Sequence, residues 1–193
     1  LTPIQLSAER LQHKLEATLQ GTDQALLVRS VATIVNQVQS MKQLVNEFRE
    51  YARLPAAQLS PLVLNELVQE VWALYGQEQE QGRLVAHLAD KLPSIMGDAT
   101  QLRQVVLNLV QNALDAVADR PDGNVRVATS AALGERGELR AVRLSIVDNG
   151  PGFADNVLQR AFEPYITTKS KGTGLGLAVV KKIADEHRAT VRI

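Results

Sequence analysis

From Leu27 to Ala52, apolar residues fall at Leu27, Val31, Ile34, Val38, Met41, Val45, Phe48 and Ala52, with steps of four and three alternating throughout. Gln, Arg, Lys and Glu fill most of the places between them. That spacing is a heptad seam on a long helix. A shorter helix precedes it, with Ile4, Ala8, Leu11, Leu15 and Leu19 on one face and Gly21-Thr22-Asp23 as the break. A lone helical hairpin buries too little apolar surface to stand by itself. The seam therefore predicts a second copy across it and a dimeric four-helix bundle, the alternative being that the hairpin packs on the rest of the same chain. Residues 1–54 are read as this hairpin, and residues 55–61 as a linker, because proline stops the helix at Pro55 and recurs at Pro61.

Over residues 62–193 the period changes. Leu62-Val63-Leu64 predicts a short strand, and Asn65 an N-cap for a helix to about Gln79, with Leu67, Val68, Val71, Trp72 and Tyr75 inward. Leu84 to Leu88 reads as a strand with Leu84, Ala86 and Leu88 on one side, and Ile95-Met96 as another extended piece. Asp98 with Gln101 three residues on predicts a capping box. The helix it opens runs over 99–118, burying Leu102, Val105, Val106, Leu109, Val110, Ala113 and Val117. Val125 to Ala132 and Leu139 to Val147 predict a hairpin turned at Gly134-Glu135-Arg136-Gly137. Beyond Phe153 the pattern weakens until Leu175, where a last helix runs to about His187 with Leu177, Val180 and Ile183 inward. Val191-Arg192-Ile193 is strand-like.

Composition narrows the function. The 193 residues carry 21 basic and 21 acidic side chains, so bulk charge makes no case for nucleic acid or an anionic membrane. Without cysteine, disulfides, thiolate chemistry and cysteine metal sites are excluded. Three histidines far apart argue against zinc. No apolar run is long enough to cross a membrane. The chain opens in a helix and stops in a strand-like run, which reads as an excised fragment.

Candidate chemistry is concentrated late in the chain. The strand Leu139 to Val147 leads into Asp148-Asn149-Gly150-Pro151-Gly152. A carboxylate at a strand end can accept a hydrogen bond from an exocyclic amine, and glycines let backbone approach a flat ligand. The same residues are also ordinary turn chemistry. Asn108 and Asn112 share one helix face, although asparagine is a poor helix former. One amide oxygen can ligate a hard cation such as Mg²⁺, or the pair can satisfy buried backbone groups. Gly172-Thr173-Gly174-Leu175-Gly176 opens the last helix, with Lys169 and Lys171 just before it. Helix-start amides, the dipole and the lysines together suit an anion, though the lysines also suit a solvated loop. Residues 153–171 read as a mobile lid. No Walker-type loop occurs, and the glycine spacing is wrong for the dinucleotide fingerprint.

Taken in order, these segments resemble the transmitter region of a bacterial sensor histidine kinase. Asn108-Leu-Val-Gln-Asn112-Ala-Leu-Asp115 resembles the family's N box, Asp148-Asn-Gly150-Pro-Gly152 its G1 box, Phe162-Glu-Pro-Tyr165 its F box, and Gly172-Thr-Gly174-Leu-Gly176 its G2 box. Leu1 to Arg10 and Asn46 to Pro55 are similar to its NtrY-like nitrogen-regulation branch.

The resemblance implies an α+β chain: the dimerising, phosphotransfer hairpin, then a two-layer α/β sandwich of the histidine-kinase, gyrase and chaperone ATP-binding type. By it, Asp148 accepts the adenine amine, Gly150 and Gly152 shape the base pocket, and Asn112 ligates Mg²⁺ with Asn108 beside it. Lys169 or Lys171 and the backbone of Gly172, Thr173, Gly174, Leu175 and Gly176 hold the triphosphate, and Phe162 and Tyr165 anchor the lid.

It further implies ATP and Mg²⁺ as ligands, a homodimer, and a response regulator receiver domain as partner. The region would be the cytoplasmic part of a protein anchored in the inner membrane. The family's acceptor histidine precedes a Leu-Thr-Pro run, here Leu1-Thr2-Pro3, so it is expected upstream and this fragment is expected not to phosphorylate itself. His13 has no acid directly after it and reads as a surface residue, and His87 and His187 as structural or solvent-facing. Related gyrase-type and chaperone-type ATPases place a water-activating glutamate where this chain has Asn108, which favours the kinase. The remaining alternative is a dimerising scaffold without nucleotide.

Overall fold

The computed structural model describes every residue except Ser170 and Lys171, together with the Glu50 backbone but not its side chain. The chain divides into two compact units. One comprises Leu1–Leu54 with Thr168–Thr173, the other Pro55–Thr167 with Gly174–Ile193.

In the first unit, α1 (Thr2–Leu15) and α2 (Thr22–Ala52) pack on each other. Gly21 separates them at φ 63°, a left-handed conformation that suits glycine. Ala8, Val31 and Val38 are buried between the helices, and Lys42 donates to Gln5 across them at 3.2 Å. The rest of the seam stays open: Ile34, Met41, Val45 and Phe48 are 43–54% exposed. One partner helix covers only part of a heptad face. No helix among the described residues is long and apolar enough to cross a membrane.

The second unit holds a two-stranded and a three-stranded sheet, with helices packed against the larger one. β1 (Ser60–Leu62) pairs antiparallel with β3 (Ile95–Gly97). The main sheet has the order β2-β4-β5, from β2 (Leu84–His87), β4 (Val125–Leu133) and β5 (Leu139–Asp148). β2 runs parallel to β4, and β5 antiparallel to it, so the sheet is mixed. α3 (Leu64–Trp72) and α5 (Ala99–Ala116) pack with β2, β4 and β5 around Val68, Val71, Leu84, Val106, Val110, Val117, Val125 and Val127. Full burial of each such side chain stabilises by roughly 1.5–3 kcal/mol. Then come α4 (Gly76–Glu80), α6 (Asp155–Leu158) and α7 (Gly176–Glu186), the last burying Val180 and Ile183 completely.

Several local expectations need correction. The short strand covers Ser60–Leu62 rather than 62–64, because Leu64 already begins α3 and is buried with its apolar face. Asn65 is not the cap of α3; the extended residue before the helix is Val63. The Asn65 amide instead donates to Ala89 O at 2.7 Å and accepts from the Thr129 hydroxyl at 2.7 Å, a tertiary pairing that outweighs local capping. The helix expected to reach Gln79 breaks at Ala73–Tyr75, which tighten into a 3₁₀ turn before Gly76. In β2 Leu84 is buried, whereas Ala86 is exposed. Residues 191–193 form no strand.

The start of α5 differs in a more consequential way. Asp98 caps it, accepting from Thr100 N at 3.0 Å and Gln101 N at 3.1 Å. The reciprocal half of the capping box is missing. Gln101 donates to Pro55 O at 2.8 Å, and the Asp98 N–H goes to His187 Nε2 at 2.9 Å. The imidazole proton therefore sits on Nδ1, 2.8 Å from Ile183 O. His187 is structural, tying the end of α7 to the start of α5.

Candidate functional site

Asn108, Asn112 and Ala116 recur at steps of four on α5, so they stack on one face about 6 Å apart. The helix is fastened at both ends, by the Asp98 cap and by Arg83, whose guanidinium donates to Val117 O at 2.7 Å. Both asparagines are half-buried.

The two glycine boxes meet this face one turn apart. Gly176 begins α7 against Asn112: a Cβ on it would lie 3.6 Å from Asn112 Nδ2. Gly150 lies over Ala116, where a Cβ would come within 3.0 Å of both the Cβ and the carbonyl oxygen. A side chain at position 150 would thus push the G1 loop off the helix.

Asp148 ends β5, opposite Val125 of β4, and is exposed. One carboxylate oxygen accepts from Gly150 N at 2.8 Å, and an ionised carboxylate has capacity for a further donor. The next residue braces the loop. Asn149 Oδ1 accepts from Asn124 N at 2.8 Å, and Asn149 Nδ2 donates to Asp122 O at 2.8 Å. Asp122 itself is ionised more easily than usual, chiefly because Arg120 hydrogen-bonds its carboxylate at 3.0 Å.

The F box is tied to the G2 box by backbone. Tyr165 N–H donates to Gly174 O at 2.9 Å. Gly174 has φ 72°, and a Cβ on it would meet Tyr165 C at 2.5 Å, Ile166 N at 2.7 Å and Tyr165 Cα at 2.8 Å. Tyr165 is itself left-handed at φ 67°, exposed, with Phe162 half-buried nearby in sequence. Leu175 is completely buried and fixes the start of α7. Among the described residues no side chain caps α7, and no acid lies in its first turn.

Lys169, Gly172 and Thr173 fall in the first unit. There Gly172 N–H donates to Lys169 O at 3.2 Å, and the Thr173 hydroxyl donates to the Glu47 carboxylate. Lys171 lies outside the described residues. Gly152 is exposed at φ 71°. A cavity of about 300 Å³ lies elsewhere, between β1, α3 and the first turn of α5, lined by Leu62, Glu66, Glu70 and Arg103 among others. No box residue lines it. No cluster of three or more acids or histidines suited to a metal occurs among the described residues, so a hard cation would depend on amide oxygen.

Two contributors escaped sequence reasoning. Ala116 continues the four-residue spacing of Asn108 and Asn112, and that spacing was the available signal. Asn149 lies inside the glycine stretch that follows β5, but only the fold brings it to the Asn124 and Asp122 backbone it holds.

Two glycine loops thus meet one face of an amide-bearing helix that packs on a mixed sheet. The family profile of histidine kinase-, DNA gyrase B- and HSP90-like ATPases matches residues 97–193, and the chain belongs to that family. Within it, the sequence is that of a sensor histidine kinase transmitter region. It is 32% identical over 193 residues to a putative NtrY-like sensor histidine kinase of Rickettsia conorii, covering 97% of this chain and 30% of that protein. It is also 32% identical over 198 residues to the nitrogen regulation protein NtrY of Azorhizobium caulinodans, covering 100% of this chain and 25% of that protein. The chain thus spans less than a third of these relatives. Among solved structures, full-length ShkA in complex with AMPPNP matches with a TM-score of 0.62 and 29% identity, covering 96% of this chain and 38% of that one.

Proposed function

We propose that this chain binds Mg-ATP on the Asn108–Asn112–Ala116 face of α5 and serves the kinase step of a two-component system. In that step a histidine nitrogen on the helical hairpin attacks the γ-phosphorus. The bond to the β,γ-bridging oxygen breaks, ADP leaves, and an aspartate of a response regulator receiver domain later takes the phosphoryl group. The observation that carries this reading is the meeting of Gly150 and Gly176 with one face of α5, at Ala116 and Asn112. Protein groups contribute mainly positioning and charge neutralisation to phosphoryl transfer.

Each part has a role in binding. Asp148 accepts the adenine amine, and Gly150 and Gly152 admit the ring. The start of α7, with Gly174, Leu175 and Gly176, receives phosphate oxygens at its positive end. On the resemblance alone, Lys169, Lys171, Gly172 and Thr173 would join the triphosphate contact, and Phe162 with Tyr165 fasten the loop. Asn112, with Asn108 beside it, suits Mg²⁺, since a hard cation accepts an amide oxygen together with phosphate and water. When bound, Mg²⁺ supplies charge neutralisation on the phosphates. Asn108 stands where a hydrolase of this superfamily carries a general base, and an amide cannot take a proton at neutral pH. That favours transfer to histidine over hydrolysis.

The hairpin spans 1–54, the linker 55–61 and the nucleotide domain 62–193 in this reading. The exposed seam of Ile34, Met41, Val45 and Phe48 supports a homodimer. On the resemblance alone, the full-length protein is anchored in the inner membrane with this region in the cytoplasm. The test of the nucleotide site is calorimetric titration of Mg-ATP into the native chain and Asp148→Asn. Native binding with about tenfold or greater loss in the variant is expected, from one charge-assisted hydrogen bond. An unchanged affinity removes the adenine contact.

A further inference from the structure

The two oxygens of Asp98 do different work. Oδ1 accepts from Thr100 N and Gln101 N and caps α5. Oδ2 accepts from Gln58 N at 2.9 Å, forty residues earlier in the chain. An N-cap requires one side-chain oxygen, which serine supplies as well as aspartate. The second oxygen is unexplained by capping.

A second contact reaches the same segment. Gln101 is 4% exposed and donates to Pro55 O at 2.8 Å, while its own Oε1 is buried without a partner among the described residues. The Pro55 contact is therefore what orients this amide. The N-cap and a first-turn residue of α5 thus hold both ends of Pro55–Gln58, a stretch that begins three residues after the end of the long helix α2. The Asp98 N–H, bonded to His187 Nε2, brings α7 into the same knot. The helices joined here, α5 and α7, are those that carry the N box and the start of the G2 box. The carboxyl of Asp98 is held below its ordinary range, foremost by the Gln58 N–H and then by Gln101.

We infer that Asp98 and Gln101 are positioning residues that clamp the Pro55–Gln58 linker to the nucleotide helix. Linker and α5 then move as one piece. The consequence for phosphotransfer rests on the kinase reading above; the clamp itself does not.

Asp98→Ser separates the two duties, keeping a capping oxygen and removing the one that holds Gln58. Asp98→Asn keeps Oδ1 but turns an N–H₂ toward the Gln58 N–H. Hydrogen exchange is followed at Gln58, Thr100 and Gln101. In both variants the Gln58 amide is expected to exchange about tenfold faster, from loss of one charge-assisted bond. Thr100 and Gln101 are expected to stay within about twofold of native, because the cap survives. Unchanged Gln58 exchange overturns the clamp, and so does parallel release of Thr100 and Gln101. Gln101→Met, similar in length and without the donor, should loosen the linker likewise.

In the full-length chain, Asp98→Ser should change the autophosphorylation kcat by about threefold or more while KM for ATP is unchanged, the signature of altered positioning rather than binding. A native kcat beside a freed Gln58 amide overturns the positioning role. Loss of ATP binding by the native protein would instead fail the kinase reading, with the exchange data still deciding the clamp.

Discussion

Gly174→Ala is the sharpest perturbation of the site. Its φ of 72° costs an alanine about 1–2 kcal/mol. The new Cβ would lie 2.5–2.8 Å from Tyr165 C, Tyr165 Cα and Ile166 N, all fixed atoms that no rotamer change can move aside. The backbone must separate there, which breaks the bond from Tyr165 N to Gly174 O and removes about 1 kcal/mol more. Restoring the closed loop on binding then costs about 2–3 kcal/mol, or a loss of about 30-fold to 150-fold in affinity. Calorimetric titration with Mg-ATP reads this directly. Gly137→Ala is the control: it has φ 80° with nothing within 4 Å of the new Cβ, in the β4–β5 turn. It carries the same strain and should lower the melting temperature while leaving the affinity intact. Gly176→Ala meets only Asn112 Nδ2 at 3.6 Å, an ordinary contact in a helix, and should fold at least as well as native. If Gly174→Ala folds and binds Mg-ATP within about threefold of native, the F-to-G2 closure is irrelevant to the nucleotide.

Acid stability carries the mark of Asp98. Its folded carboxyl is shifted down, because the ionised form accepts the Gln58 and Gln101 amides. The contribution is therefore complete above the unfolded carboxylate value near pH 4 and disappears as pH falls through the lower folded value. Asp98→Ser should lose this acid leg in urea melts between about pH 5 and pH 2, and an unchanged pH profile would contradict the assignment. The hairpin seam is tested by Met41→Lys with Phe48→Lys, both exposed in the single chain. Light scattering should show a dimer for the native chain and a monomer for the variant, and equal masses would remove the seam from the interface.

The periodic elements could be read from residues alone because each buries one face continuously. The seam of α2, the apolar face of α5 and the alternation of β5 each repeat over several turns or pleats, and local chemistry agrees with the tertiary environment. Other features depend on residues distant in sequence. Asn65 looks like a cap until Thr129 and Ala89 arrive beside it. Gln101 completes a capping box on paper, yet Pro55 takes its amide. Tyr165 at φ 67° has no sequence signal, since glycine is the residue that advertises such backbone. The candidate site residues stand out by type and order, but their placement along α5 needs the fold. Nothing local says that position 150 rests on Ala116 while position 176 rests on Asn112.

That placement is tested most directly by backbone amide NMR during a Mg-ATP titration. Gly150, Asn112 and Gly176 should shift together, along one saturation curve with one Kd, while Gly137 at the far turn of β4 and β5 stays still. Shifts confined to one of these loops, or none at all, would contradict a shared nucleotide site on α5.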